Sequence, residues 1–229
     1  MMTSRYVFLF LVGLVLLVPN GIFAQPQELE YRISNSARVL SEMMEAPDGR
    51  LPADLVKRSR AIIIFPSVIR AGLGVGGHYG KGVVLRRDAQ TGKWGPPAFL
   101  TLIGGSFGWQ VGVQSTNMVL LVMSDISLKS LFRDKFTIGA DASVAAGPIG
   151  RDASAATDID LSAAILSYSR AKGIYAGVSV NGSVLEADWG ANEAYYGSDI
   201  SIIDIFFKNS GKISPAADKL IKLLNKFSS

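Results

Sequence analysis

The chain has 229 residues, 48% of them hydrophobic and 18% charged, with a formal net charge of +4. That balance excludes a disordered chain and is enough for one sizeable core. There is no cysteine, which excludes disulfides, thiolate metal sites, cysteine nucleophiles and a lipid-anchored N-terminal cysteine.

In chain order, residues 1–24 read as a secretory signal: Arg5, the apolar run Tyr6–Val18, then Ile22-Phe23-Ala24 as a cleavage site. The run is short for a transmembrane span of about 20 residues, and a retained N-terminal anchor is the alternative. Residues 25–229 then form a single domain. Leu29, Ile33, Ala37, Leu40 and Met44 fall at helical spacing and predict an amphipathic helix over Glu28–Ala46, with Glu28 and Arg32 paired on its outer face. Pro47-Asp48-Gly49 ends it. A second short helix starts at Pro52, with Asp54 in its first turn and Lys57 and Arg58 in its last.

The stretch Ala61–Gly82 organises the strand-rich middle of the chain. Ala61–Phe65 is a solid apolar run, as in a strand buried on both faces, and Pro66, lacking an N–H, is expected to stop it. Gly72, Gly74, Gly76, Gly80 and Gly82 fall on one side of an extended chain, a face stripped for sharp curvature or for close approach of another backbone. Further strands are expected at Val83–Arg87, Trp109–Gln114, Met118–Met123, Phe136–Ala146, Asp158–Tyr168 and Ile174–Leu185. A hairpin loop at Asp88–Gly92, a rigid link at Trp94–Pro97, turns at Ser115–Asn117 and Lys172-Gly173, and a helical turn at Ser127–Arg133 separate them. Met118–Met123 is continuously apolar and therefore central. After a turn of helix at Ala191–Tyr196, Ser214 is a natural N-cap with Pro215 at N1. In that last helix, residues 214–227, Leu220, Leu223, Leu224 and Phe227 make an apolar face, with Lys219, Lys222 and Lys226 off it. A basic amphipathic helix is a membrane-surface signal, although a terminal helix packed on its own domain reads the same way. The fold class is α+β: a curved antiparallel sheet or partial β-barrel of about seven to eight strands flanked by N- and C-terminal helices.

Several short motifs suggest chemistry but lack its context. Gly72, Gly74 and Gly77 spell G-x-G-x-x-G, yet a β-branched run rather than a helix follows. Ser106 sits in G-x-S-x-G, but the single histidine, His78, precedes it and strand flanks it on both sides. Ser169 and Lys172 match S-x-x-K at a strand end without the accompanying motifs. Asp158 with Asp160, and Glu186 with Asp188, are i,i+2 pairs that suit solvated strand ends better than a glycosidase pair. No calcium-loop spacing occurs, and the scattered basic residues lack the aromatic interleaving of a nucleic-acid surface.

One pattern covers these glycine-rich stretches together. Phe65-Pro66-Ser67-Val68, Ala71-Gly72 through Gly82, Pro97-Ala98-Phe99, Gly108-Trp109-Gln110-Val111-Gly112 and Gln114-Ser115-Thr116 resemble the SYLF lipid-binding domain. So do the block Gly139–Pro148, Tyr168-Ser169-Arg170-Ala171-Lys172-Gly173, Ala176-Gly177-Val178-Ser179 and Tyr195-Tyr196-Gly197. The matches run in order over roughly residues 30–210. The resemblance implies structural roles for Phe65, Pro66, Gly72, Gly74, Gly76, Gly80, Gly82, Gln110, Gly112, Gly139, Gly147, Pro148, Gly173, Gly177, Tyr196 and Gly197. It implies membrane-lipid binding, with phosphoinositides as ligand in eukaryotic members and actin binding in fungal ones.

An exported stand-alone form resembles the bacterial branch, for which an anionic phospholipid surface is the expected partner and actin is not. The expected protein is non-enzymatic, periplasmic or secreted, and peripherally membrane-associated. It needs no cofactor, metal or nucleic acid. Lys57, Arg58, Arg60, Arg70, Lys219, Lys222 and Lys226 are the expected lipid-contacting residues. An envelope protein as partner is the alternative, and a serine hydrolase the remote one.

Overall fold

A computed structural model describes residues 25–46, 51–131, 136–148, 163–171, 174–176, 180–208 and 211–228, with the backbone alone at 73–74, 106–111 and 174–176. The signal segment therefore lies outside the described residues. Helix α1 (Pro26–Glu45) and the short helix α2 (Ala53–Arg58) come first. Two long strands come next, β1 (Ala61–Arg86) and β2 (Ala98–Val122). Helix α3 (Asp125–Ser130) leads to β3 (Phe136–Thr137), β4 (Val144–Ala146), β5 (Ile165–Ala171), β6 (Ile174–Ala176) and β7 (Val184–Ala187). Helices α4 (Trp189–Tyr196), α5 (Ile202–Phe207) and α6 (Pro215–Ser228) complete the described elements.

β1 and β2 form one antiparallel ribbon, from Ala61 opposite Val122 to Val84 opposite Ala98. Laid straight, such a ribbon would reach about 80 Å at 3.3 Å per residue. It is bent double instead. The Arg87 N–H donates to the Arg60 carbonyl at 2.9 Å. A Cβ built on Gly82 would stand 2.5 Å from the Ile64 carbonyl oxygen, and one on Gly72 2.7 Å from the Gly76 Cα. Each pair is symmetric about residues 73–74, so β1 folds back at Leu73-Gly74, where its register against β2 also shifts. Glycine is required at 72 and 76 inside the bend, and at 82 between the limbs, because no side chain fits there. The stripped face therefore serves both expected purposes.

The sheet order is β3-β7-β2-β5-β4, with β1 along β2 and β6 along β5. β2 takes its other partners only near its two ends: Leu100–Ile103 pairs with β7, and Asn117–Val122 with β5. The result is the expected curled sheet, with the two ribbon limbs side by side at its centre. On one face α1, α2, α4 and α6 pack onto Ile62, Ile64, Val83, Leu85, Val119 and Leu121. On the other, α3, α5, Phe136 and Ile138 cover Ala61, Ile63, Phe65, Val84 and Leu120. Ala61–Phe65 is fully buried throughout, as its unbroken apolar run requires.

The structure corrects several expectations. Pro66 does not end its strand: the register slips between Phe65 and Val68, and this bulge removes the need for an N–H at 66. Ser115–Asn117 is not a turn, since Ser115 and Thr116 pair with Ile69 and Val68 within β2. The alternation over Phe136–Ala146 is not one strand. Gly139, at φ +93, turns the chain between β3 and β4, and β4 then pairs parallel to β5, so the sheet is not wholly antiparallel. Arg32 faces inward rather than outward; it meets Asp188 at 2.9 Å and lies over the Phe99 ring, with Glu28 at 3.6 Å. Helix α5, unforeseen, is held by a capping box of Ser201 and Asp204, whose carboxyl is drawn down to about 2, first by its bond with Lys208.

Candidate functional site

The ribbon defines two ends of the molecule. At the loop end, Arg60 and Arg87 flank β1, and the connection through Trp94 joins it to β2. At the other end is the bend around Leu73-Gly74, eleven or more residues along either limb, on the order of 30 Å of extended chain away. The expected lipid-contacting residues divide between these places.

Lys57, Arg58 and Arg60 come together at the loop end because α2 runs straight into β1. The Arg87 guanidinium ties them to the hairpin loop, donating from Nε to the Gly92 carbonyl at 2.9 Å and from its Nη1 to the Lys57 carbonyl. Asp88 organises that loop: it accepts from the Thr91 N–H at 2.7 Å and the Thr91 hydroxyl at 2.9 Å, bonds that hold its carboxyl below the usual range. The Trp94 indole N–H donates to the Ser228 hydroxyl at 3.0 Å, which docks the last turn of α6 at this end. Two cations here face acids across open surface, Arg58 with Asp54 at 3.8 Å and Arg60 with Asp125 at 3.4 Å. Lys57 and Lys93 are exposed and form no ion pair among the described residues. Lys93 and Arg87 were not among the expected contacts, because only the folded hairpin brings them beside α2.

Lys219, Lys222 and Lys226 belong to a different surface. α6 packs on α1 through Ala217, Leu220 and Leu224, starting where the Ser214 hydroxyl donates to Glu30 at 2.9 Å and caps Ala217 at 3.2 Å. Its lysines then line a groove with Arg38, Glu42 and Glu45 of α1. Lys222 also pairs with Asp218 at 2.7 Å, and Arg38 with Glu42 at 2.6 Å. The apparently basic helix thus shares its surface with an acidic one. Arg70 stands apart again, opposite Gln114 near the bend, with Nε buried and without a hydrogen-bond partner among the described residues. Burial lowers its pKa.

Some of the groups that suggested catalysis are engaged in packing or capping. His78 is buried, its Nε2 within 2.9 Å of the Ser183 hydroxyl, and burial first, then Arg70, lowers its pKa. Ser169 is buried in β5 between Met118 and Ala176. Asp188 caps α4 by accepting from the Ala191 N–H at 3.3 Å, besides holding Arg32, while Glu186 pairs in register with Thr101. Asp158, Asp160 and Lys172, and the Ser106 side chain, lie outside the described residues.

The motif residues that are described lie at packed or turning positions of the chain. Phe65 is buried in the limb, and Gly80 faces Val68 of the other limb. Gly74 is at the register shift, and Gly112, at φ +132, lies opposite Gly72. Gly147 lies against the Tyr168 ring. The Tyr196 hydroxyl donates to the Pro97 carbonyl, and Gly197, at φ +92, ends α4. Burial raises the Tyr196 phenol well above its usual range and Tyr195 to about 12. Pro148 follows Gly147 as half-buried irregular chain, and Gly173, Gly177 and the Gln110 side chain lie outside the described residues.

Comparison with known proteins points the same way as the motif pattern. The model of the Ysc84 family, described as Las17-binding protein actin regulator, matches residues 103–227. SH3 domain-containing YSC84-like protein 1 of Rattus norvegicus is 30% identical over 208 residues, covering 88% of this chain and 60% of that protein. Protein YSC84 of Saccharomyces cerevisiae is 31% identical over 207 residues, and LAS seventeen-binding protein 3 from the same organism 32% over 209. Each of these matches covers 87% of this chain but only 44% of the yeast protein. The chain therefore spans less than two thirds of these relatives.

Proposed function

The chain belongs to the Ysc84 family, and on that premise we propose that it is a non-enzymatic module that binds anionic phospholipid surfaces as an exported envelope protein. The observation that carries this reading is the loop end. There Lys57, Arg58, Arg60, Arg87 and Lys93 converge from α2 and the hairpin, against Asp54, Asp88 and Asp125. Asp88 is already engaged by its own loop. Hydrogen bonds to backbone carbonyls hold Arg87 in place, so the cationic surface is formed before any ligand arrives. Lysines close to an anionic membrane contribute about 1 kcal/mol each, within a Debye length of about 10 Å. A few of them acting together suffice for reversible docking.

Co-sedimentation with vesicles tests this. Binding is expected to phosphatidylcholine vesicles containing phosphatidylglycerol and not to phosphatidylcholine alone, and to fade between low and high salt. Failure to bind at low salt would remove the lipid reading. The relatives are named for binding Las17 or regulating actin, and a protein ligand at the same surface would then take the place of the lipid.

A further inference from the structure

The middle of the ribbon is built unlike any other part of the sheet. Between Gly104 and Thr116, β2 pairs with β1 on one edge, and no described strand pairs with it on the other. Val113 is 75% exposed, Val75 67% and Ile69 49%. Across residues 69–77 and 104–116 the only charged residue is Arg70, and no proline or lysine blunts the open edge, although soluble proteins ordinarily protect such edges in one of those ways. A contiguous exposed apolar surface of this kind marks a contact.

We propose that this bend inserts shallowly into the interfacial layer of a phospholipid bilayer. The proposal rests on the reading of the ligand as a lipid surface, but not on which cations meet that surface. Two observations select a bilayer over another occupant. Tyr31 and Tyr79, both exposed, meet Ile69 and Lys81 around one shallow hollow below the bend. Aromatic side chains with a polar tip and a cation at the margin of an apolar surface match the headgroup level of a membrane. The nearby carboxylate, Glu28, is turned toward Arg32 at 3.6 Å, which leaves Lys81 to meet anionic headgroups. The open edge of β2 fixes the depth. Its unpaired N–H and C=O groups cannot be carried into hydrocarbon, so the apolar side chains enter only the headgroup and upper acyl region, about 5–10 Å.

The lack of cysteine makes the test direct. The full chain carrying Val113→Cys and an environment-sensitive fluorophore is titrated with phosphatidylcholine–phosphatidylglycerol vesicles, beside Gln90→Cys on the hairpin loop. The label at 113 is expected to brighten on binding and to be quenched by a nitroxide placed high on the acyl chain, while the label at 90 stays dark. In the unlabelled chain, Val75→Asp with Val113→Asp is expected to weaken vesicle binding at least tenfold with unchanged thermal unfolding. Leucine at both positions is expected to bind like the parent. Vesicle binding with a dark label at 113, or undiminished binding by the aspartate pair, overturns the insertion while the lipid reading stands. No vesicle binding by the parent chain overturns both. Brightening at 113 with rising protein concentration and no lipid would identify a second copy of the chain as the occupant, and so overturn insertion as well.

Discussion

The loop end and the bend are made from the same two strands, yet they solve opposite problems. Near the loop end, Ala61–Phe65, Val83–Leu85 and Met118–Val122 are fully buried, with helices over both faces of the sheet. At the bend the ribbon loses its third strand and leaves Val75 and Val113 in solvent. Glycine plays a different part in each. Gly82 separates two limbs already in contact, whereas a Cβ on Gly105 would meet nothing within 4 Å. One ribbon therefore supplies its stability at one end and an uncovered apolar surface at the other. The two ends lie on the order of 30 Å apart along the limbs, so variants that act on one end at a time tell which end a single flat membrane meets.

The sharpest way to break this comparison is to load both glycines. Gly82→Ala drives a methyl group into the Ile64 carbonyl and the Phe65 ring, each 2.5 Å away. Overpacking of this kind costs about 1–3 kcal/mol, and at about 2–4 °C per kcal/mol for a domain of this size the melting temperature is expected to fall by roughly 2–12 °C. Gly105→Ala is expected to stay within about 0.5 kcal/mol of the parent. Thermal unfolding followed by circular dichroism compares them, and equal losses would mean that the limbs are not pressed together as described.

Next in size is charge reversal at the loop end. Lys57→Glu with Lys93→Glu removes two favourable terms of about 1 kcal/mol and installs two unfavourable ones. With the loop end as the docking face, binding to anionic vesicles at low salt is expected to weaken by about two orders of magnitude or more; with the bend alone in the membrane, the pair is expected to change it by less than about fivefold. Lys219→Ala with Lys222→Ala is expected to change binding by less than about fivefold, because Glu42, Glu45 and Asp218 already share that groove. If the α6 pair proved the more damaging, the docking face would have to move from the loop end to the groove between α1 and α6.

Much of this architecture was legible in the sequence, for reasons that differ by region. The run Ala61–Phe65 announced burial on both faces, Ser214-Pro215 announced the start of α6, and the even-numbered glycines announced a close backbone approach. Pro66 misled because a bulge satisfies the same local chemistry as a strand end. Ser115–Asn117 misled because turn-forming residues also suit an exposed, twisted strand whose pairing is set at long range. The candidate site was only half visible. Lys57, Arg58 and Arg60 are neighbours in sequence, but Arg87 and Lys93 join them only through the hairpin, and the acidic row beside Lys219 and Lys222 lies on a helix roughly 180 residues earlier in the chain. Local pattern carries no information about such partners. The bend was read correctly as a device for curvature, but its exposure depends on where β5 and β7 stop pairing.

The smallest expected effect lies at the junction between the two ends. His78 is on the bend-side part of β1, opposite Gly104, with its ring buried against the Ser183 hydroxyl. Burial, helped by Arg70, lowers its pKa below the ordinary value of about 6.5. The unfolded chain therefore takes up a proton near pH 6.5 that the folded chain refuses until the pH is lower. Wherever the unfolded state binds more protons, stability rises with pH. The contribution of His78 is complete above about pH 6.5 and is lost as the pH falls through the folded value. His78→Asn keeps a side chain able to bond Ser183 but cannot titrate. Urea midpoints for the parent should fall between pH 7.5 and pH 5.5, before most carboxylates begin to protonate, and those for the variant should stay level. An equal fall in both would assign the titration to another group and leave the bend-side junction without a role in acid sensitivity.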